Sequence, residues 1–224
     1  MKNFIKHQSL AEYIIKDLED KIINGILKPG HRIIEEDLCK SFRVSQSPVR
    51  EALRTLESQG LIKHEPRKGV TVTKLSPKEA EDVYRIRANL ESLSTYLAVK
   101  NNDLRVLQKL KKIHTRMMKM VSDGEISTAY FNLNFKFHKT LVDASENQRL
   151  IKMVESFTKQ VRRYRIEVLS VPGRVSASLK NHDAIIQSFE AGDAEKAEAL
   201  RKATILKNIK EFAEKFEKEE GDEN

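Results

Sequence analysis

Apolar residues in the first 75 positions recur at helical spacing in three segments. They predict a helix over residues 9–24 and two shorter helices, joined by a tight turn, over residues 35–60. The stripe of the last of these helices consists of Val49, Ala52, Leu53 and Leu56. Runs of β-prone residues at 31–34, 61–65 and 70–73 predict a short strand and then a hairpin. This order of elements predicts a winged helix-turn-helix.

From Ser76 onward the pattern is helical only. Ser76-Pro77-Lys78-Glu79 is a capping box with proline at the first helical position, which predicts a strong helix start. Short polar or glycine-containing breaks divide the remainder into six helices, the last ending near Phe216. We therefore expect a mostly α protein. The predicted parts are a winged helix-turn-helix domain over 1–75, an all-helical bundle over 76–217 and an acidic, disordered tail over 218–224.

Charge is concentrated in the winged segment. The 224-residue chain has a formal net charge of +8. Residues 43–74 contain seven basic and three acidic residues, so this short part holds about half of that charge and favours a polyanionic partner. The single cysteine, Cys39, excludes an intramolecular disulfide and suits a reducing cytoplasm. Because no apolar run approaches the roughly 20 residues of a membrane span, we expect no membrane partner.

The second helix of the 35–60 segment has an exposed polar ridge opposite its apolar stripe. Gln46, Arg50 and Arg54 lie at i, i+4 and i+8, and Ser45 or Ser47 can cap the helix start. A helix that opens with small polar residues and presents glutamine and arginine suits the DNA major groove. The alternative interpretation is a solvated surface helix with ordinary charges.

The first 75 residues resemble the GntR family of bacterial transcription regulators. The matching positions are Gly25, Pro29-Gly30, Glu36, Leu38, Val44-Ser45, the run from Pro48 to Leu53, Leu56, Gly60-Leu61 and Arg67-Lys68-Gly69. The all-helical remainder looks like the FadR-type branch, whose effector domain is a helical bundle called FCD. The resemblance implies a dimeric, ligand-responsive regulator, expected to be a repressor, that binds a palindromic DNA operator.

By this resemblance, the DNA would be contacted by a recognition helix at 45–58 and a wing at 66–69. The implied contact residues are Arg43, Ser45, Gln46, Ser47, Arg50, Arg54, Arg67, Lys68 and Gly69. Two of these depart from many relatives, which have glycine at the position of Arg43 and arginine at that of Gln46. An arginine at position 43 would either adopt a strained left-handed backbone or shift the turn slightly, and glutamine favours adenine where arginine favours guanine.

A second constellation lies in the helical half. Asn134 and His138 are one turn apart, and His182 lies on an apolar stripe of another helix, so the side chains could meet in the core. Hydrogen-bonded core histidines are the simpler interpretation. Many FCD domains bind a metal through an aspartate four residues before a histidine and two later histidines. Here Asn134 replaces the aspartate and the third histidine would fall at Ala203, so a Zn²⁺ or Ni²⁺ site on His138 and His182 looks degenerate.

We therefore expect the pocket to hold an organic effector, most simply a small organic acid. Asn134, His138 and His182 would line it, and Arg87 would neutralise the ligand, with Arg162, Arg163 or Arg165 as further candidates. The alternatives are a winged-helix protein-interaction module and a metal-dependent sensor. An enzyme is not expected, because no HExxH motif, second cysteine or Ser/His/Asp arrangement is present.

Overall fold

The computed structural model describes the backbone of residues 9–169 and 173–222 and the side chains of residues 9–161, 173–207 and 209. The chain divides between Leu75 and Ser76 into two compact units. In chain order the elements are α1 (Leu10–Ile23), β1 (Arg32–Ile33), α2 (Glu35–Phe42), α3 (Gln46–Ser58), β2 (Ile62–Glu65), β3 (Gly69–Val72), α4 (Pro77–Asn101), α5 (Leu104–Ser122), α6 (Thr128–Asp143), α7 (Gln148–Leu169), α8 (Arg174–Glu190) and α9 (Ala194–Asp222). This is the predicted fold class, a mostly α chain with a small sheet in its first unit.

The core of the first unit is formed by the apolar stripes of α1 and α3. Ile14 and Leu18 from α1 pack in one cluster with Val49 and Leu56 from α3 and with Val72 from the sheet. A capping box fixes the start of α1, where Ser9 and Glu12 bond each other's backbone N–H groups. The small core therefore holds α3 by its buried side and leaves the opposite side exposed.

The sheet of the first unit has three antiparallel strands in the order β1–β3–β2. Residue Arg32 is paired with Thr71, and Ile62 with Val72. The short run at 31–34 therefore joins the predicted hairpin as a third strand. With β3 paired on both sides, the β2–β3 turn is anchored to the same core as α3.

The second unit is helical throughout its described residues. Its largest core cluster joins the inner faces of α4, α5, α6, α8 and α9. Ser76 and Glu79 form the predicted capping box at the start of α4. Helix α9 continues to Asp222, past the predicted end near Phe216 and into the segment predicted as a disordered tail. Glutamate and lysine are good helix formers, so this polar segment can extend an existing helix without an apolar anchor.

No helix among the described residues is both long enough and apolar enough to cross a membrane.

Helix α2 ends in a strained residue, as the sequence predicts. Arg43 follows Phe42 with φ 54° and ψ 47°, a left-handed conformation that suits glycine. A side chain in this region costs about 1–2 kcal/mol relative to the right-handed form. The turn between α2 and α3 therefore has a left-handed residue at position 43 although the arginine side chain disfavours that backbone conformation.

We expect Arg43→Gly to stabilise the first unit by up to about 1 kcal/mol, because glycine relieves the strain but also gains more freedom in the unfolded chain. Chemical denaturation followed by circular dichroism measures the change. The matched control is Arg54→Gly in the exposed middle of α3, which should destabilise by about 1 kcal/mol. A loss of stability in Arg43→Gly would show that the arginine side chain holds the turn.

Candidate functional site

The start of α3 presents polar side chains to solvent. Ser45 is the N-cap residue and has an extended backbone, although its side chain makes no capping hydrogen bond. Gln46, Ser47, Arg50 and Arg54 are all exposed, whereas the stripe on the opposite side is buried. Arg50 and Arg54 line one open depression together with Ser47, Glu51 and Thr55. The structure therefore places the predicted ridge on an accessible face with its side chains in a row.

Arg50 is held by an acidic residue that the sequence pattern did not single out. Its Nε donates to Oε1 of Glu35 at 2.7 Å. Glu35 begins α2, so this contact joins the first helix of the helix-turn-helix to the second. Because both side chains are partly exposed, the pair contributes little to stability and chiefly fixes where the guanidinium lies.

The wing tip is basic and tightly turned. Arg67 and Lys68 are exposed, and Arg67 and Gly69 both have left-handed backbones, with φ of 66° and 78°. Lys63 donates to the Glu65 carboxylate and, with Lys68 nearby, holds the pKa of that carboxyl below its ordinary value. The Glu65 carboxylate thus partly balances the positive charge of the wing tip, and among the ion pairs of the described residues none involves Arg67.

A buried ion cluster lies between α4 and α9. Arg87 and Glu91 on α4 and Arg201 on α9 are 1%, 2% and 3% exposed. Each oxygen of the Glu91 carboxylate accepts a hydrogen bond from one guanidinium, Oε1 from Arg87 and Oε2 from Arg201. Among the described side chains, two guanidinium groups therefore share one carboxylate, and the resulting surplus of positive charge is costly in a core unless something compensates it.

Arg87 has unused donors. Its Nε and Nη1 are buried and have no hydrogen-bond partner among the described residues, and its guanidinium lies over the ring of Tyr84 at 5.3 Å. Burial lowers the pKa of Arg201, and Glu91 opposes that shift. Arg201 keeps its proton near neutral pH, because arginine does not lose it in proteins. The cluster therefore has the charge and the free donors to accept an anion.

The two predicted histidines meet beside this cluster. The Nε2 atoms of His138 on α6 and His182 on α8 are 3.2 Å apart, and Arg201 Nη1 lies 3.4 Å from His138 Nε2. Asn134 donates from Nδ2 to Ser178 Oγ at 3.0 Å, and that hydroxyl lies 3.5 Å from His182 Nε2. The structure thus brings Asn134, His138 and His182 together. The predicted candidates Arg162, Arg163 and Arg165 lie outside the residues whose side chains are described.

A third histidine borders the pair. His114 on α5 is 6% exposed, and its ring centroid lies 6.1 Å from that of His182. Its Nδ1 has no hydrogen-bond partner among the described residues, and burial lowers its pKa while Asp183 partly opposes the shift. Tyr130, another buried group, is kept neutral because burial raises its pKa to about 12. Among the described residues, the surroundings of the histidine pair therefore combine neutral polar groups with the charges of the Arg87–Glu91–Arg201 cluster.

The donor set around the pair does not suit a metal ion. Among the described residues no group of three His, Cys, Asp or Glu side chains is placed to hold one. Asn134 turns its amide N–H toward Ser178, and the Arg201 guanidinium stands 3.4 Å from one imidazole, where it would repel a dication. Ala203, the predicted position of the missing third histidine, is exposed, so that assignment was wrong: the inward residues of α9 there are Arg201 and Ile205.

Sequence reasoning missed Glu91, His114 and Arg201, although the pattern around His114 and Arg201 carries a signal. His114 lies between Leu110 and Met117 on one buried stripe of α5. Arg201 is at helical spacing from the buried residues Ala197 and Ile205. A charged or titratable residue on an apolar stripe is the pattern that could have identified them.

Comparison with known proteins gives two family matches along the chain. The model described as "Bacterial regulatory proteins, gntR family" matches residues 10–72, and the model described as "FCD domain" matches residues 82–206. Both matches fall in the order that the sequence resemblance implied.

Full-length relatives agree with these matches. The HTH-type transcriptional regulator YdhC of Bacillus subtilis is 36% identical over 209 residues, which is 92% of each chain. The gluconate operon transcriptional repressor of the same organism is 29% identical over 96% of this chain and 88% of its own. The solved structure of Escherichia coli McbR/YncC superposes with a TM-score of 0.75 at 24% identity, covering 93% of this chain and 99% of that one. The last likeness shows the shared fold.

The lowered pKa of His114 predicts a pH dependence of stability. A buried neutral imidazole binds protons less readily than in the unfolded chain, so its contribution to stability is present above the ordinary pKa of about 6.5 and is lost as the pH falls through the folded value. The unfolding free energy of the parent should therefore fall between pH 7 and pH 5, and less so for His114→Gln. Denaturant titrations at both pH values measure this, with exposed His31→Gln as control. Equal pH slopes for parent and His114→Gln would contradict it.

Proposed function

Because the chain belongs to the GntR family of bacterial regulatory proteins and carries an FCD domain, it is a DNA-binding transcription regulator and not an enzyme; we propose that it is a dimeric repressor released by a small organic anion. The observation that carries the proposal is the buried surplus positive charge of Arg87 and Arg201 over Glu91. Relatives named as repressors of the gluconate and D-xylose utilization operons support the sign of regulation.

In this proposal DNA is contacted by α3 and by the wing. Arg50, Arg54 and Gln46 supply hydrogen-bond donors for base edges in the major groove. Ser45, Ser47 and Arg43 lie at the helix start, where hydroxyl and guanidinium groups suit phosphate, and Gly69 permits close approach beside Arg67 and Lys68. The exposure of this set on one small, firmly anchored unit supports the assignment.

The helical unit supplies a surface suited to self-association. Ile86 and Leu93 lie two turns apart on α4 and are 43% and 42% exposed, and Met153 on α7 is 49% exposed. Also on α4, Leu90 and Leu97 are partly buried and pack against the cluster of Val142, Leu150 and Val154. A single winged domain contacts too few base pairs for tight specific binding. We therefore expect a two-fold dimer that binds a palindromic operator.

The effector would sit among Arg87, Arg201, Asn134, His138 and His182. A carboxylate there would neutralise the surplus charge and use the free Nε and Nη1 donors of Arg87. The imidazoles and the Asn134 amide would supply neutral hydrogen bonds to hydroxyl or carbonyl groups of the ligand. Such a ligand changes DNA affinity only as far as it prefers one arrangement of the dimer over another, typically by 1–3 kcal/mol.

Operator binding should involve two chains on a two-fold symmetric site. Light scattering gives the stoichiometry of the chain with and without DNA, and footprinting of a site selected from random pools gives its symmetry. We expect a dimer that protects two inverted half-sites, with an affinity that falls steeply with salt. A monomer on one asymmetric half-site would contradict the proposal, and binding insensitive to salt would favour a protein-interaction module instead.

The recognition helix and the wing should differ in their effects on specificity. Arg50→Ala should weaken binding to the selected site by about 1–3 kcal/mol and relax the preference at one base position. Lys68→Ala should weaken all sequences about equally and lower the salt slope by about one unit. Fluorescence anisotropy on matched and scrambled sites measures both. An Arg50→Ala variant that binds the selected site as the parent does would show that α3 does not read it.

Effector response should depend on the buried cluster and not on the DNA-binding unit. The effector is first identified by a thermal-shift screen of small organic acids and by release of operator DNA. In the parent, the effector should change the affinity for operator DNA by about 5- to 150-fold, which corresponds to a coupling free energy of about 1–3 kcal/mol. His138→Ala and Arg87→Met should lose most of this change, while their DNA affinity without effector stays near that of the parent. Arg87→Met leaves Glu91 balanced by Arg201, so the fold should persist. Normal release by either variant would place the pocket elsewhere.

A further inference from the structure

The ion pair between Glu35 and Arg50 is a contact across the helix-turn-helix. The two residues are 15 positions apart, and Arg50 Nε donates to Glu35 Oε1 at 2.7 Å. Their side chains are 30% and 59% exposed. An ion pair with this exposure contributes roughly 0–1 kcal/mol to stability, so stability alone is a weak reason for placing a carboxylate there. Its main consequence is to restrict the rotamers of a long, otherwise free side chain.

The atom that Glu35 engages decides which donors remain. With Nε occupied, the guanidinium of Arg50 offers its two Nη groups at the end of the side chain. A pair of parallel N–H donors matches the O6 and N7 acceptors that guanine presents in the major groove. A carboxylate on Nε therefore leaves the terminal fork free and fixes its direction, and a hydrogen bond between two ionised groups is stronger than one between neutral groups.

We propose that Glu35 is a positioning residue for sequence readout, which holds Arg50 so that its terminal fork reads a guanine. This inference rests on the proposed role of α3 in DNA binding. The carboxylate also has a repulsive effect, because it places a negative charge close to the phosphate backbone and weakens sequence-independent binding. Glu35 thus favours discrimination by two routes, orientation of the reading arginine and suppression of unspecific contacts.

A purely structural role for Glu35 is separable from this one. Glu35, Glu36 and Asp37 all lie in the first turn of α2, where acidic side chains interact favourably with the helix dipole. Glu36 is exposed and adjacent in sequence, and in the described contacts Arg50 is paired with Glu35. Glu36→Gln is therefore a matched control, with the same change of charge in the same helical turn.

The experiment uses the full chain and a DNA pool randomised over the half-site selected by the parent. Binding of Glu35→Gln, Glu36→Gln and Arg50→Ala is compared by sequencing of bound DNA and by anisotropy on matched and scrambled duplexes. In Glu35→Gln the preference for guanine should fall about tenfold at the one base position where Arg50→Ala also relaxes it, while the affinity for scrambled DNA rises. Glu36→Gln should keep the guanine preference, and all variants should unfold at the parent's denaturant midpoint within error.

Other outcomes overturn the inference in distinguishable ways. Unchanged preference in Glu35→Gln, with Arg50→Ala relaxed as expected, would show that Arg50 reads DNA without help. Equal changes of base preference in Glu35→Gln and Glu36→Gln would show that the loss of one negative charge in the first turn of α2 causes the effect, and that the contact with Arg50 does not. A shift at a position that Arg50→Ala leaves untouched would show that Glu35 contacts a base itself. Unaltered binding by Arg50→Ala would remove the proposed role of α3, and the inference with it.

Discussion

The helical unit depends on one buried carboxylate shared by two arginines. Glu91 on α4 binds Arg201 on α9 and also binds Arg87, one turn away on its own helix. Loss of this carboxylate would leave two buried guanidinium groups uncompensated, and breaking a buried pair in this way typically costs 3–5 kcal/mol. The arrangement satisfies Glu91 but not the arginines, since Arg87 keeps two buried donors without a partner among the described residues. Among the described residues, the cluster that joins α4 to α9 therefore has one more positive charge than negative charges. This imbalance is the physical basis for proposing an anionic effector.

The first unit differs from the helical unit in where its proposed functional side chains lie. Its core is apolar, and the side chains proposed to contact DNA lie outside it, on α3 and on the wing tip. Strain is kept at the two turns, where Arg43 and Arg67 adopt left-handed backbones, and not in the helices. The partly exposed Glu35 carboxylate on α2 accepts a hydrogen bond from Arg50 of α3, which is the contact that we propose orients this arginine. In the proposed function, DNA would be read by side chains anchored to this apolar core, whereas the helical unit would bind its ligand at a buried charged cluster.

Periodicity predicted nearly all of the elements, because amphipathic stripes and capping boxes are local signals. The stripe of α3 and the Ser76–Glu79 box are examples. Contacts distant along the chain were not predictable in the same way: Glu91 and Arg201 are 110 residues apart, and each alone resembles a solvated charge. His138 and His182 were expected to meet because both lie on inward faces, and they do. The end of α9 was missed because a polar segment can extend a helix without burying an apolar stripe.

The central claim is that a guanidinium pair, and not a metal ion, anchors the effector. The most direct test is calorimetric titration of the purified full chain with the organic acid that releases operator DNA, before and after exhaustive dialysis against a chelator, with elemental analysis of both samples. If the guanidinium pair anchors the effector, both samples will bind it with the same affinity and stoichiometry, and neither will contain stoichiometric Zn²⁺ or Ni²⁺. Loss of binding after chelation, restored by one equivalent of Zn²⁺ or Ni²⁺, would contradict it.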